Sequence, residues 1–209
     1  MKRCTFRQSE SPSFTTLKPS GGVDTSKIAN LPPASFILGV GRLVPQKGFD
    51  LLFPVFHRLG REDLHLAILG EGAERANLEH QARALGIADR VHLPGWVADP
   101  APWYRAAGCF VLSSRYEGFG NVLIEAMANG CPVVAFDCPY GPSEIIEHGM
   151  TGLLVPKGDV AALGRTLARL LADDGLRRRL GAAGRQSDAL ISVEAVAPRW
   201  LDGACGRRV

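Results

Sequence analysis

Two glutamates and two cationic residues in this sequence have the types and the spacing to bind one ligand. Glu117 and Glu125 are separated by seven residues, which hold a glycine-bearing loop and the start of a helical pattern. Arg42 and Lys47 lie in an earlier loop that also contains glycine. Carboxylates accept hydrogen bonds from hydroxyl groups, whereas guanidinium and ammonium groups bind phosphate oxygens. The four side chains therefore predict a site for a phosphorylated molecule that is rich in hydroxyl groups.

The sequence around Glu125 indicates a buried helix. It is apolar almost all the way round the helix, through Val122, Leu123, Ile124, Ala126 and Met127. Glu125 is therefore expected to be a buried carboxylate, and such a group is costly without a hydrogen-bond partner. Hydroxyl groups of a ligand would supply that partner, while backbone N–H groups at the start of the helix would hold the ligand's anionic part.

Short apolar segments alternate with helical patterns from Ser35 onward, which predicts an α/β fold. The predicted strands are 36–40, 64–69, 90–93, 109–112, 132–135 and 152–155. The predicted helices are 49–59, 74–85, 98–106, 121–129, 143–148, 160–171 and 175–185. This alternation is typical of a doubly wound, Rossmann-like parallel sheet with helices on both faces. Such sheets bind ligands beyond the carboxyl ends of their strands, so the loops after the strands are the expected site.

Composition divides the chain in two and limits what it can bind. Residues 1–33 are rich in Ser, Thr, Pro and Gly, and we interpret them as a disordered tail or linker before one domain over residues 34–209.

The five cysteines form no CxxC pair, which favours reduced thiols and a cytoplasmic location. No apolar stretch is long enough to span a membrane, and a net charge of +3 is too small to indicate nucleic acid. The basic cluster at residues 177–179 indicates a solvated helix face, with peripheral contact to anionic lipids at the inner face of the plasma membrane as the alternative.

Motifs for other phosphate ligands and for metals are incomplete. Two Gly-x-Gly pairs, at residues 39–41 and 70–72, begin a dinucleotide fingerprint, but Val44 and Arg75 occupy positions where that pattern needs glycine. A P-loop is excluded because no Gly-Lys-Ser/Thr sequence occurs. There is no Asp-x-Asp pair and no metal-ligand spacing among His, Cys and carboxylates. We therefore expect no metal and no cofactor, with cations and a helix dipole offsetting the phosphate charge.

Five motifs occur in a fixed order along the chain. They are Gly41-Arg42-Leu43 with Lys47-Gly48, Leu69-Gly70-Glu71-Gly72, Pro94-Gly95-Trp96-Val97, the segment from Ser113 to Glu125, and Gly130-Cys131-Pro132-Val133-Val134-Ala135. Together they resemble glycosyltransferase family 4, over residues 35–171. The resemblance implies the carboxy-terminal, nucleotide-sugar-binding half of a GT-B fold. Residues 138–146 resemble a subset that acts on bacterial surface polysaccharides and N-acetylhexosamine acceptors.

The resemblance implies a role for each matching residue. Arg42 and Lys47 would bind the donor diphosphate and act in catalysis with Glu117, which would accept hydrogen bonds from hydroxyls of the donor sugar. Glu125 would bind both ribose hydroxyls. The other donor contacts, including those to the base, would come from Gly41, Gly118, Phe119, Gly120, Asn121, Trp96 and Val97.

The implied activity is a retaining, metal-independent transfer of a hexose or N-acetylhexosamine to a glycan or lipid-linked acceptor. The donor would be a nucleoside-diphosphate sugar, with UDP as the default because it is the commonest donor nucleotide in the resembled family. Its departing diphosphate would be stabilised by Arg42, Lys47 and the helix dipole while an oxocarbenium-like centre develops.

The resemblance also implies a second domain that binds the acceptor, and residues 1–33 are too few to form one. We therefore expect half an enzyme: either a separate polypeptide supplies the acceptor domain, or the sequence is a fragment or a truncated gene product, or the chain binds the donor without transferring it. The alternatives are a non-catalytic nucleotide-sugar-binding module or truncated remnant, and a nucleoside-diphosphate-sugar epimerase of the same architecture. A glucan phosphorylase that uses pyridoxal phosphate is disfavoured, because its cofactor-lysine motif has no counterpart here.

Overall fold

The computed structural model describes residues 34–139 and 141–187. Within them lie six strands: β1 Phe36–Val40, β2 His65–Leu69, β3 Val91–Gly95, β4 Cys109–Leu112, β5 Val133–Asp137 and β6 Leu153–Pro156. The six predicted strands are confirmed, with ends shifted by at most two residues. The predicted tail over residues 1–33 and the end of the predicted domain, residues 188–209, lie outside the described residues.

Within the described residues, seven α-helices connect and follow the strands. They are α1 Phe49–Arg58, α2 Arg75–Ala84, α3 Ala101–Ala106, α4 Asn121–Ala128, α5 Pro142–Ile145, α6 Val160–Ala172 and α7 Asp174–Ser187. A short 3-10 turn, Pro45–Lys47, precedes α1 and was not predicted, because three residues are too few for a periodic pattern. α3 begins at Ala101 rather than at residue 98, since the Asp99 carboxylate accepts a hydrogen bond from Ala101 N at 3.0 Å and fixes the start of the helix. Among the helices of the described part, none has the length and apolar character needed to cross a membrane.

The sheet is parallel throughout, in the order β3-β2-β1-β4-β5-β6. The chain therefore builds one half of the sheet outward from β1 and then returns to the centre to build the other half from β4. The order reverses between β1 and β4, which makes that junction the topological switch point where such sheets bind ligands. The doubly wound fold is confirmed.

The core lies on both faces of the sheet, as the strand period of two requires. Ile37 of β1 packs with the layer that contains α1, α2 and α6, whereas its neighbours Phe36 and Leu38 pack with the layer that contains α3, α4 and α5. α7 packs against both α4 and α6. The loops that follow β1 and β4 lie at the carboxyl edge of the sheet, beside the switch point.

Candidate functional site

The loops that follow β1 and β4 meet at the switch point, where hydrogen bonds join them. Arg115 N donates to Gln46 O at 2.8 Å, and Gln46 Nε2 donates to Tyr116 O at 3.0 Å. The Ser113 hydroxyl donates to Lys47 O at 2.9 Å. Because donors come from both sides, the two loops form one unit at the carboxyl edge of the sheet.

Gly48 permits this close approach of the two loops. Its φ of 62° lies in the left-handed region, and a Cβ at this position would lie 2.2 Å from Ser113 O. A side chain would therefore be strained twice, by its backbone conformation and by contact with the opposite loop. Gly48 also ends the 3-10 turn and precedes α1, so it fixes where Lys47 leaves the β1 loop.

The second Gly-x-Gly pair packs the β2 loop against the β1 loop. A Cβ on Gly70 would lie 2.0 Å from Gly41 O, and one on Gly72 would lie 2.2 Å from Leu43 O. Leu43 N in turn donates to Glu71 O at 2.8 Å. These glycines therefore support the loop that carries Arg42, which accounts for a pair that has no complete dinucleotide fingerprint around it.

Lys47 and Glu117, both predicted to contact one ligand, form an ion pair. Lys47 Nζ lies 2.7 Å from Glu117 Oε1, and their side chains are only 15% and 6% exposed. The buried Ser114 hydroxyl donates to the same Oε1 at 2.5 Å. Since little water screens this pair, its geometry is better fixed than that of an exposed surface pair.

The second oxygen of Glu117 is available to a ligand. Oε2 accepts no hydrogen bond from any described residue. Every buried side-chain nitrogen or oxygen in the described part has a hydrogen-bond partner, so Oε2 must retain some contact with solvent. Glu117 thus has one oxygen that two protein donors fix and one oxygen in contact with solvent.

Gly41 and Arg42 have different relations to Lys47. A Cβ on Gly41 would lie 3.2 Å from Lys47 Cε, so the absence of a side chain leaves room for the lysine stem to cross. Arg42 is exposed, and its guanidinium makes no hydrogen bond or ion pair with the residues that the structure describes. The β1 loop therefore presents one engaged cation and one available cation. The predicted donor contact of Gly41 stays a prediction.

The prediction that Glu125 is buried was wrong. Glu125 and Asn121 are exposed, one helical turn apart on the same face of α4, while Leu123, Ala126 and Met127 face the core. The Tyr104 hydroxyl donates to Glu125 Oε2 at 3.2 Å. Tyr104 is itself buried, and burial together with this carboxylate raises its pKa well above the ordinary 10.0. The phenol of Tyr104, and not a ligand diol, is therefore the hydrogen-bond donor to one oxygen of Glu125. No described hydrogen bond links Glu125 to Lys47 or Glu117.

Several backbone N–H groups at the start of α4 have no acceptor among the described residues. No N–H group from Gly118 to Val122 donates to another described residue, and Gly120, in the left-handed conformation with φ 77°, precedes the helix without a side-chain cap. Phe119 O lies 2.8 Å from the position of a Cβ on Gly141, so the β5 loop closes one side of this segment. The unpaired donors at Gly118, Phe119, Gly120 and Asn121 suit an anion or a hydroxyl-bearing ligand.

Trp96 and Val97, predicted to hold a base, differ in exposure. The Trp96 side chain is 65% exposed. Val97 is half-buried and packs against the core on the face of the sheet that α3, α4 and α5 cover. The structure therefore leaves Trp96 available as a flat surface and uses Val97 for packing.

No local sequence pattern predicts the ion pair of Asp50 with Arg115, which we call the latch. The Arg115 guanidinium donates to Asp50 Oδ1 at 2.8 Å, to Oδ2 at 2.7 Å and to Pro45 O at 2.7 Å. These hydrogen bonds hold the pKa of Asp50 below its ordinary 3.8, against the opposite effect of its burial. The two residues are 65 positions apart, so no local pattern could have paired them.

Chemically, the loops after β1 and β4 carry two cations, one carboxylate oxygen and a helix start whose N–H groups donate to no described residue. No group of three or more His, Cys, Asp or Glu side chains within residues 34–139 and 141–187 is arranged to hold a metal. The arrangement can bind a ligand whose anionic part lies beside a hydroxyl-bearing part.

Comparisons with known proteins point to one family. The family described as Glycosyl transferases group 1 matches residues 25–187. The lipopolysaccharide core biosynthesis glycosyltransferase LpsE of Rhizobium meliloti is 37% identical over 180 residues, which are 86% of this chain and 52% of that protein. This chain spans about half the length of the curated relatives it matches.

Solved structures of other proteins superpose on this chain and show the same fold. A Staphylococcus aureus TarM variant, solved with fondaparinux, alpha-GlcNAc-glycerol and UDP, superposes with a TM-score of 0.75 at 28% identity over 81% of this chain and 35% of that one. Sucrose-phosphate synthase from Thermosynechococcus elongatus superposes with a TM-score of 0.76 at 33% identity over 86% of this chain and 47% of that one.

Proposed function

The chain belongs to the glycosyl transferases group 1 family, and from that premise we propose that it is the donor-binding half of a sugar transferase. The donor is a nucleoside-diphosphate sugar, and a hexose or N-acetylhexosamine passes to a glycan or lipid-linked acceptor. UDP is the proposed nucleotide, with support from the TarM structure that contains it. A second domain, from the same or a separate polypeptide, would hold the acceptor.

The observation that carries the proposal is the meeting of Lys47 and Glu117 at the switch point. A nucleotide sugar has a diphosphate next to a ring of hydroxyl groups, and it needs a cation and a hydrogen-bond acceptor at adjacent positions. The Lys47 ammonium and the open Oε2 of Glu117 supply them side by side. Arg42 and the unpaired N–H groups before α4 add donors for the diphosphate.

In the proposed reaction the bond between the anomeric carbon and the diphosphate oxygen breaks. The acceptor's hydroxyl oxygen bonds that carbon from the same face, so that configuration is retained, and its proton passes to the departing diphosphate. Arg42, Lys47 and the start of α4 stabilise the charge that grows on the leaving group. These groups provide the neutralisation for which other transferases use a metal, so we propose a metal-independent reaction. Glu117 holds the sugar hydroxyls while the carbon becomes oxocarbenium-like.

The nucleoside would lie along α4 and the β3 loop. Tyr104 fixes Oε2 of Glu125 and leaves Oε1 for the ribose hydroxyls. The exposed face of Trp96 can stack on the base, because an exposed aromatic ring gains apolar contact from a flat partner.

Calorimetry with UDP, GDP, ADP and UDP-sugars tests the proposal. We expect binding by the wild-type chain, and about tenfold to a hundredfold weaker UDP affinity for Lys47→Ala and for Arg42→Ala, since each loses charge-assisted hydrogen bonds. Arg178→Ala, which removes an exposed cation on α7, serves as the matched control and should bind normally. Absence of heat with every nucleotide, or wild-type affinity in both loop variants, would contradict the proposal.

Where transfer is measurable, the same variants report on the transition state. We expect Lys47→Ala to lower kcat more than it raises KM, because its contact strengthens as charge moves onto the leaving diphosphate. A change in KM alone would show that Lys47 contributes only to binding.

A further inference from the structure

We propose that the tandem serines Ser113 and Ser114 are positioning residues that set the two sides of the donor site separately. This inference rests on the proposed function. Ser113 fixes the main chain of Lys47 and thereby the position of the diphosphate-binding cation. Ser114 fixes the carboxylate of Glu117 and thereby the acceptor for the sugar hydroxyls.

The contacts of the two serines divide in this way. Both are only 1% exposed, and they follow β4 directly. Successive residues of extended chain direct their side chains to opposite sides, and these hydroxyls do go to different partners. Ser113 Oγ donates to Lys47 O at 2.9 Å, whereas Ser114 Oγ donates to Glu117 Oε1 at 2.5 Å.

The Ser114 hydrogen bond determines which oxygen of Glu117 stays open. Oε1 receives both Ser114 Oγ and Lys47 Nζ, so two donors fix the plane of the carboxylate. Without the hydroxyl, the carboxylate can turn and offer both oxygens to the Lys47 ammonium. The Lys47 ammonium would then compete with the sugar hydroxyls for Oε2 of Glu117.

The Ser113 hydrogen bond has a different consequence. Lys47 O lies just before Gly48, where a Cβ atom would lie 2.2 Å from Ser113 O. A free Lys47 carbonyl would loosen the end of the 3-10 turn and spread the positions of the lysine ammonium. The cation serves the diphosphate, which UDP and UDP-sugars share.

Calorimetry on the full chain separates the two roles through the ratio of the Kd for UDP to the Kd for a UDP-sugar. UDP-glucose, UDP-galactose and UDP-N-acetylglucosamine are the probes, and the one that the wild type binds most tightly is used. We expect Ser114→Ala to lower this ratio about tenfold, while the Kd for UDP changes less than about twofold, because one charge-assisted hydrogen bond to Glu117 is lost. Ser113→Ala, the matched variant of the same residue type and burial, should weaken both ligands and leave the ratio unchanged.

Further variants distinguish positioning from a general effect on the fold. Ser114→Thr keeps the hydroxyl and should restore the ratio. Ser114→Cys keeps the size but donates poorly, and it should behave like Ser114→Ala even if the alanine variant loses stability. In the Glu117→Gln background, Ser114→Ala should cause little further change, since both act through one group.

The outcomes separate this inference from the proposed function. A wild-type chain that binds no nucleoside diphosphate overturns both. Wild-type binding with an unchanged ratio in Ser114→Ala and Ser114→Cys overturns the role of Ser114 and leaves donor binding intact. Equal loss of UDP and UDP-sugar affinity in both serine variants shows that the serines support the loops together and overturns the division.

Discussion

Glu117 and Glu125 are the same residue type in one continuous segment, yet the fold treats them differently. Glu117 lies in the loop before α4, is 8% exposed and receives hydrogen bonds from Lys47 and Ser114. Glu125 lies within α4, is exposed and receives one hydrogen bond, from Tyr104. The loop residue is the buried one because the β1 loop covers it, whereas the helical residue lies on the face that points away from the sheet.

The contrast extends to the two ends of the proposed site. The end around Glu117 is built before any ligand binds, through the ion pair with Lys47 and the latch of Asp50 and Arg115. The end around Glu125 and Trp96 consists of exposed side chains that a ligand would have to order. A preformed end lowers the entropic cost of placing the reacting part of a ligand, and an open end permits exchange.

The largest effect on stability is expected from a substitution at Gly48, in the preformed end of the site. We expect Gly48→Ala to lower the free energy of unfolding by about 2–5 kcal/mol. The alanine would have to adopt the left-handed conformation of Gly48, and its Cβ would clash with Ser113 O. Gly60→Ala is the matched control, with the same φ of 62° and nothing within 4 Å, and should cost about 1–2 kcal/mol. Urea denaturation measures both. Equal losses would show that the close approach of the loops contributes nothing.

A comparison of the two glutamates themselves gives the next effect. Glu117→Ala leaves a half-buried Lys47 ammonium and the Ser114 hydroxyl without their shared acceptor, so we expect a loss of about 1–3 kcal/mol. Glu125→Ala removes one exposed carboxylate and should cost less than about 1 kcal/mol. Thermal or urea unfolding of the pair decides between them, and a larger loss at Glu125 would reverse our account of which end is preformed.

Acid should weaken the latch, which joins Asp50 in α1 to Arg115 in the loop after β4. The folded-state pKa of Asp50 is below its ordinary 3.8, so its stabilising effect is complete above that value and is lost as pH falls through the folded pKa. We expect less than about 1 kcal/mol, because both side chains are partly exposed. Unfolding measured from pH 5 downward should show a shallower loss of stability in Asp50→Asn than in the wild type. Identical pH dependence would exclude the latch as a source of acid sensitivity.

The smallest effect on the fold is expected at the open end. Trp96 is 65% exposed, so Trp96→Ala should change the free energy of unfolding by less than about 0.5 kcal/mol. Its UDP affinity should nevertheless fall about fivefold to tenfold if the ring stacks on the base. Pyrophosphate, which has no base, is the control ligand and should bind both proteins alike. Unchanged UDP affinity would remove Trp96 from the site.

Much of the fold followed from short-range patterns. Apolar runs and helical periods placed the six strands within two residues, and glycines and cations after the strands located the loops that meet at the switch point. The ion pair of Lys47 and Glu117 joins two of the predicted site residues, which the parallel sheet brings to one edge. The predicted burial of Glu125 failed because Val122 and Ile124 made α4 look apolar on almost every side, although both are only half-buried and the side that faces the core is that of Leu123, Ala126 and Met127.

Sequence alone determined the type of fold and the family resemblance, and it supplied the residues that we propose contact a charged, hydroxyl-rich ligand, because strand and helix periods and loop glycines are local properties. Tertiary structure alone decided which glutamate is buried, that Ser114 and Lys47 share one of its oxygens, and that Arg115 holds Asp50 across 65 residues. These contacts depend on which strands become neighbours. No residue carries that information until the sheet has formed.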